Sequence, residues 1–310
     1  MSRFLSPEAR RLAPYTPGEQ PRDQQYIKLN TNESPFPPSP KVLEAVSRAE
    51  AEKLYLYSDP ACAALNAAIA KRYGLAPENV ISGNGSDEIL AFAFRAFCGE
   101  GKGAAFADIT YGFYEAQAAL FGLKARRVPL REDFSLNVED YLDFPGTVVI
   151  ANPNAPTGLF ESLETVERIV RANPDVLVMV DEAYVDFGGR SALPLVEKYD
   201  NLLVVQTFSK SRSMAGLRIG FCIGSEKLIR YLNDVKFSFN SYTMNLPAQI
   251  LGAEAVRDEA YFRETVGKIV ATRERVKAAL RELGFSFPDS KANFIFASHE
   301  AVPARQIFQA

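Results

Sequence analysis

Lys210 stands in "TFSKSRSMAGLRIGF" (residues 207–221), between Ser209 and Ser211, with Thr207 and Ser213 nearby and Arg218 just beyond. Hydroxyls and a guanidinium together can grip a phosphate, the hydroxyls by single hydrogen bonds and the arginine by its planar fork. A lysine among them is not needed for charge alone. It could equally be a solvated loop residue, as most lysines are. A second anion site is legible in "GNGSDE" (83–88), where Gly83 and Gly85 lead into a helix starting at Ser86 and Asp87. The unpaired N–H groups and the dipole of such a start favour a phosphate; taken alone, it is also an ordinary glycine turn with a serine cap. "VLVMVDEAYVDF" (176–187) puts Asp181 after five apolar residues, followed by Glu182 and Tyr184. A carboxylate there is costly unless paired. A metal is a poor partner, because the sequence holds one histidine, His299, and no carboxylate cluster at ligand spacing. A cationic ring nitrogen serves better, and a core arginine is the other option. "TVVIANPNAPTG" (147–158) ends another apolar run in Asn152, Asn154 and Thr157.

These polar groups follow short apolar runs, and the runs are the elements that must position them. "GAAFADI", "KARRVPL", "TVVIAN", "VLVMVDEA", "LLVVQTFS" and "RIGFCIGS" are the expected strands. Val176–Val180 is apolar at every position, as in strands covered on both faces in a largely parallel sheet. Helical patterns are expected at about 40–52, 61–73 and 86–97, and two long ones after residue 226, the second over about 258–283. "FSFPDSKANFIFAS" is expected as a turn between strands, with a helix beginning near Val302. The fold class is α/β, a mostly parallel central sheet between helices with a smaller α+β domain. The expected division is a proline-rich arm at 1–38, a large domain at 39–225, and interdomain helices with the small domain at 226–310. In open parallel sheets ligands bind at the carboxyl ends of the strands, so the polar strand ends form one cluster.

At 310 residues, 47% hydrophobic and 24% charged, the chain is an ordinary globular protein rather than a disordered one. A formal charge of −3 with scattered lysine and arginine offers no basic stripe for nucleic acid and no cationic amphipathic helix for a membrane surface. A small polar ligand is the expected partner. Cys62, Cys98 and Cys222 are widely separated, show no CxxC spacing and are expected as buried free thiols, which favours a reducing compartment. With no apolar stretch of membrane-spanning length and none at the amino terminus, a cytoplasmic location is expected.

A lysine, a buried aspartate and a phosphate-binding helix start at neighbouring strand ends match the needs of a pyridoxal 5'-phosphate enzyme, which uses a lysine Schiff base, an acid at the pyridinium nitrogen and a phosphate anchor. The ordered motifs "GNGSDE", "TYGFY", "NPNAPTG", "DEAY" and "TFSKSRSMAGLRIGF" resemble the fold-type I, class II aminotransferases. With "APYTPG", "LNTNESPF" and "LYLYSDP" upstream, nearly the whole chain is most similar to the histidinol-phosphate aminotransferase family. The resemblance implies that Lys210 carries pyridoxal phosphate, Asp181 pairs with the ring nitrogen, Tyr184 bonds the ring hydroxyl and Tyr111 stacks on the ring. It puts Ser86, Asp87, Thr207, Ser209 and Arg218 at the phosphate, Tyr57 at the phosphate of a second subunit in a homodimer, and Tyr15 and Asn30 at the substrate. The partners implied are an amino donor and a 2-oxo acid acceptor.

Two departures bear on these expectations. Ala155 stands where the family usually has a second asparagine, which leaves Asn154 or Tyr184 to hold the ring hydroxyl. The family also continues past the position of Ala310, into the part that supplies a substrate-gripping arginine, so the 310-residue chain is expected to bind cofactor and transaminate weakly. The same ring-contacting residues would serve an aromatic or broad-specificity aminotransferase, a decarboxylase of a phosphorylated amino acid, or a catalytically inactive cofactor-binding remnant.

Overall fold

The structure, a computed structural model, describes residues 27–99 and 101–309. Seven strands make one sheet: β1 (Val80–Asn84), β2 (Ala104–Ala107), β3 (Ala125–Val128), β4 (Thr147–Ala151), β5 (Val178–Asp181), β6 (Leu202–Thr207) and β7 (Ile219–Gly224), in the order β1-β7-β6-β5-β4-β2-β3. Strands β2 to β6 run parallel, while β7 is antiparallel to both its neighbours. The six expected strands are present. β1 is an addition that the apolar pattern did not reveal, because after Val80 and Ile81 it runs through Ser82, Gly83 and Asn84, poor strand formers on their own. Its ladder to β7, from Val80 opposite Ile223 to Asn84 opposite Ile219, holds it in the sheet.

The continuous apolar runs divide their side chains between two layers, as period-two alternation requires. Val148, Ile150, Val178, Val180 and Val204 face one layer, with Leu65 and Ile69 of α3 (Ala63–Tyr73) and Val166 and Ile169 of α6 (Leu163–Ala172). Val149, Met179, Leu203 and Val205 face the other, with Ile89 and Leu90 of α4 (Ser86–Phe97), Tyr114 of α5 (Phe113–Leu120) and Leu232 of α7 (Glu226–Phe239).

The expected helix at 40–52 is two short ones, α1 (Pro40–Glu44) and α2 (Arg48–Ala51). Ser47 accepts from the Glu50 N–H through its side chain, the capping geometry that starts a new helix rather than continuing an old one. Beyond β7 the expected two helical patterns are three helices. Asn240 ends α7, and Asn245 caps α8 (Leu246–Arg257) by accepting from the Ala248 N–H. Then follows α9 (Glu259–Glu282), close to its expected span. The closing strands, β8 (Phe285–Ser286) and β9 (Ser298–His299), are short and antiparallel, and α10 (Ala304–Gln309) follows. Residues 292–296, expected as strand, are irregular. They are held by two tertiary bonds, from the Lys291 N–H to the Gly158 carbonyl and from Arg273 Nη1 to the Ala292 carbonyl, and by a local one from Ser290 Oγ to the Phe294 carbonyl.

Candidate active site

The carboxyl ends of β5 and β6, the β1–α4 turn and the start of β7 meet at one edge of the sheet. Reversal of β7 is what brings Arg218 there: Ile219 pairs with Asn84 at the end of β1, and Gly220 with Thr207 at the end of β6. A cavity of about 660 Å³ opens at this edge, and Ser86, Asp87, Tyr111, Asp181, Tyr184, Thr207, Ser209, Lys210 and Arg218 all line it.

At one end, Gly85 has φ 88° and ψ 162°, a conformation open essentially only to glycine, and α4 begins at the next residue. A Cβ on Gly85 would lie 2.6 Å from Arg218 Nη2, and one on Gly220 would collide with the Ser86 nitrogen, so both glycines allow the close approach. Arg218 Nη2 donates to Asp87 Oδ2 at 3.0 Å and the Tyr111 hydroxyl to Asp87 Oδ1 at 3.0 Å. Thr207 Oγ1 donates to Ser209 Oγ at 3.0 Å and accepts from the Ser209 N–H at 3.1 Å. A guanidinium, paired hydroxyls and the N–H groups of a helix start thus surround one small volume, the donor set a phosphate needs.

Asp181 is 5% exposed. Its Oδ2 accepts from the Tyr114 hydroxyl at 2.7 Å and its Oδ1 from the Ala183 N–H at 3.2 Å, and it makes no ion pair among the described residues. Burial pushes its pKa up to about 6, against the pull of those two hydrogen bonds and with a smaller push from Asp87. A buried carboxylate facing a cavity without a cation beside it fits a protonated heteroaromatic nitrogen. Glu182, its neighbour, points to the other side of the strand, where Ser191 Oγ, the Ala192 N–H and Gln206 Nε2 satisfy it at 2.6, 2.6 and 2.9 Å. Burial pushes Glu182 up to about 7.

Lys210 Nζ donates to the Thr31 carbonyl at 2.7 Å and lies 5.7 Å from the centre of the Tyr184 ring. Burial lowers its pKa, which Glu33 and Asp87 oppose, so the amine is easier to obtain uncharged than a surface lysine. The Tyr184 hydroxyl accepts from Asn32 Nδ2 at 3.2 Å, and its ring meets Phe294 edge-on at 5.0 Å.

Three of the expected residues lie outside this lining. Asn154 does not line the cavity: its Nδ2 donates to the Ile109 carbonyl at 3.0 Å and to Thr157 Oγ1 at 3.1 Å, and its Oδ1 accepts from Thr110 Oγ1 at 2.7 Å. Those bonds commit the amide to holding the loop, while Ala155 and Pro156 face the cavity instead. Tyr57 is 83% exposed and stacked on Tyr242 at 4.4 Å, away from the cavity within this chain. Asn30 is exposed and outside the lining, which its neighbours Thr31 and Asn32 join. Tyr15 lies outside the described residues.

Sequence reasoning also passed over several lining residues: Thr31, Asn32, Tyr114 and the run Phe294, Ile295, Phe296. Tyr114 lies in the first turn of α5, and Tyr111 precedes that helix, so no helical spacing linked the two. Thr31 and Asn32 adopt φ of 61° and 54°, a left-handed pair inside "LNTNESPF" that no local pattern announces. Among the described residues no group of three or more His, Cys, Asp or Glu side chains could hold a metal ion.

Known proteins similar to this chain in sequence or fold are numerous. The family described as "Aminotransferase class I and II" matches residues 24–309. A histidinol-phosphate aminotransferase of Brachyspira hyodysenteriae is 51% identical over 309 residues, which cover 99% of this chain and 87% of that protein. One from Clostridium acetobutylicum is 52% identical over 309 residues, covering 99% and 88%. The solved histidinol-phosphate aminotransferase of Sinorhizobium meliloti, in complex with pyridoxal-5'-phosphate, is 28% identical, with a TM-score of 0.79 over 87% of this chain and 74% of that one. The fold alone is shared with a putative histidinol-phosphate aminotransferase of Erwinia carotovora atroseptica, 24% identical, with a TM-score of 0.81 over 89% and 82%. The chain belongs to the class I and II aminotransferase family.

Proposed function

We propose that the protein transfers the amino group of histidinol phosphate to 2-oxoglutarate, using pyridoxal phosphate held in this cavity. The observation that carries the reading is the convergence of Lys210, Asp181 and the Arg218–α4 anion site on one cavity, together with the relatives' shared activity. When bound, pyridoxal phosphate supplies an aldehyde that condenses with amines and a ring that draws electrons from the substrate's α-carbon.

The chain's residues have distinct tasks. The N–H groups at Ser86 and Asp87, the Thr207 and Ser209 hydroxyls and the Arg218 fork would hold the phosphate. Asp181 would keep a proton on the ring nitrogen, because a buried carboxylate gains a partner only if that nitrogen is charged. Tyr184 would orient the ring hydroxyl, and Tyr111 would cover one face of the ring. Lys210 Nζ, its basicity reduced by burial, would take the proton from the substrate's α-carbon and deliver it to the cofactor's exocyclic carbon, and would carry a proton the opposite way in the second half of a double-displacement cycle. In this reading residues 39–225 form the cofactor-binding domain, residues 1–38 an arm that brings Tyr15 and Asn30 to the substrate, and residues 226–310 the smaller domain.

A homodimer is part of the proposal. Leu54, Tyr55, Leu56, Tyr57, Phe239 and Tyr242 are exposed hydrophobic side chains, and a second copy covering them would let Tyr57 reach the partner's phosphate site. The three cysteines are buried free thiols, which supports a reducing, cytoplasmic setting. No helix among the described residues is long and apolar enough to cross a membrane.

Phe294 and Phe296 in the cavity wall favour a second reading, an aromatic amino-acid donor. Amino transfer to 2-oxoglutarate, measured in parallel with histidinol phosphate, phenylalanine and tyrosine, separates the two. A higher kcat/KM for histidinol phosphate is expected. Turnover of the aromatic amino acids without that of histidinol phosphate would replace the first reading by the second.

A further inference from the structure

Tyr114, in the first turn of α5, is wholly buried, and its hydroxyl donates to Asp181 Oδ2 at 2.7 Å. Its ring is itself wedged, edge-on to Tyr111 with centroids 5.7 Å apart at 87°, and 5.9 Å from Phe106 of β2. Tyr111 in turn donates to Asp87, which accepts from Arg218. One side chain therefore touches the acid at the cavity floor through its hydroxyl and the aromatic cover of the cavity through its ring, and the second contact continues to the anion end.

We propose that Tyr114 is a positioning residue: it holds the Asp181 carboxylate ionised and fixed at the cavity floor, ready to keep a protonated ring nitrogen in place. The inference rests on the role given to Asp181 above. Without this donor the buried acid would hold its own proton to a higher pH, and a neutral acid cannot stabilise a charged ring. The groups around Asp181 act in opposite directions. Burial and Asp87 from α4 favour the protonated acid, whereas the Tyr114 hydroxyl from α5 and the Ala183 N–H favour the carboxylate. Lys210 and Tyr184 line the same cavity. Tyr114 itself stays a donor, because burial and the adjacent Asp181 push its own ionisation well above the usual tyrosine range.

The test compares Tyr114→Phe with the parent in two measurements. In cofactor-free protein, the fall in stability as pH rises through the Asp181 titration should be larger in Tyr114→Phe, by roughly tenfold to a hundredfold in the unfolding constant, the range for a lost hydrogen bond to a charged group. This excess should vanish when both chains also carry Asp181→Asn. In the second measurement, pyridoxal phosphate should bind Tyr114→Phe roughly tenfold or more weakly, while a carbocyclic analogue lacking the ring nitrogen should bind both chains alike.

A loss of stability equal at every pH, or an equal loss of affinity for both compounds, would make Tyr114 a packing residue and overturn the proposal. Should Tyr114→Phe not fold, 3-fluorotyrosine at position 114 keeps the shape and strengthens the donor. It should shift the pH step down, and an unmoved step overturns the proposal. Failure of the parent chain to bind pyridoxal phosphate at all would instead refute the role given to Asp181.

Discussion

Adding a single methyl group at Gly85 tests the anion end of the site. Gly85 has φ 88° and ψ 162°, where an L side chain is strained, and the added Cβ would meet Arg218 Nη2 at 2.6 Å. The backbone strain should cost about 1–3 kcal/mol of stability. The collision is relieved more cheaply, because the Arg218 side chain is 44% exposed and can swing outward. Swinging outward removes its fork from the phosphate position, and loss of a charge-assisted contact of about 1.5–3 kcal/mol corresponds to roughly tenfold to a hundredfold in affinity. Gly85→Ala should thus lower the urea midpoint and weaken pyridoxal phosphate binding by that factor, while pyridoxal without its phosphate is barely affected. In an Arg218→Ala background the affinity penalty should largely disappear and the stability penalty persist. Unchanged phosphate-dependent affinity in Gly85→Ala, with the protein folded, would show that Arg218 and the α4 start do not share a ligand.

Other perturbations probe the remaining parts. Lys210→Ala should abolish the cofactor attachment that borohydride otherwise makes permanent, and peptide mapping that finds the label on another lysine would reassign the site. Burial raises Asp181 from 3.8 to about 6, so the folded state binds its proton more tightly than the unfolded chain does. That contribution to cofactor-free stability is complete below about pH 4 and lost as pH rises through about 6, a change of about 3 kcal/mol. Asp181→Asn should remove this pH dependence and also lower turnover by about a hundredfold or more; a stability profile with the same slope in both chains would refute the assignment. Mixing Tyr57→Phe chains with Lys210→Ala chains should restore activity above either parent if Tyr57 serves the partner's site, and no recovery would count against the shared-site dimer.

Elements whose information is local are legible in the sequence alone. The strands ending in Asp181 and Thr207 announce themselves as apolar runs followed by polar residues, so Lys210, Asp181 and Arg218 could be placed on one edge without knowing strand order. β1 was hidden because its membership rests on β7, which comes much later in the chain. Residues 292–296 look like a strand from their composition, yet bonds from Lys291, Arg273 and Ser290 hold them in irregular form. The committed amide of Asn154 was invisible for the same reason, since its partners Thr110 and Ile109 come from a different loop. A motif fixes residue type and order; which polar groups remain available for a ligand depends on tertiary hydrogen bonds that have already used some of them.

The pairing of β1 with β7 also has a consequence in time. Residues 84 and 219 must meet before the N-terminal end of α4 and the Arg218 side chain can face a common ligand. Closing so long a loop costs entropy that is recovered only when the ladder forms, a topology associated with slow folding. During synthesis the chain has to emerge past Gly224 before the Arg218 fork can join the α4 start in one phosphate grip, so capture by the complete site follows completion of the sheet. Strands β2 to β6, whose neighbours lie nearer in sequence, can assemble beforehand. The anion site therefore marks the last joint of the sheet to close, and cofactor added during refolding should speed neither the burst of helix formation nor the early parallel pairing, only the capture of chains that have already closed it.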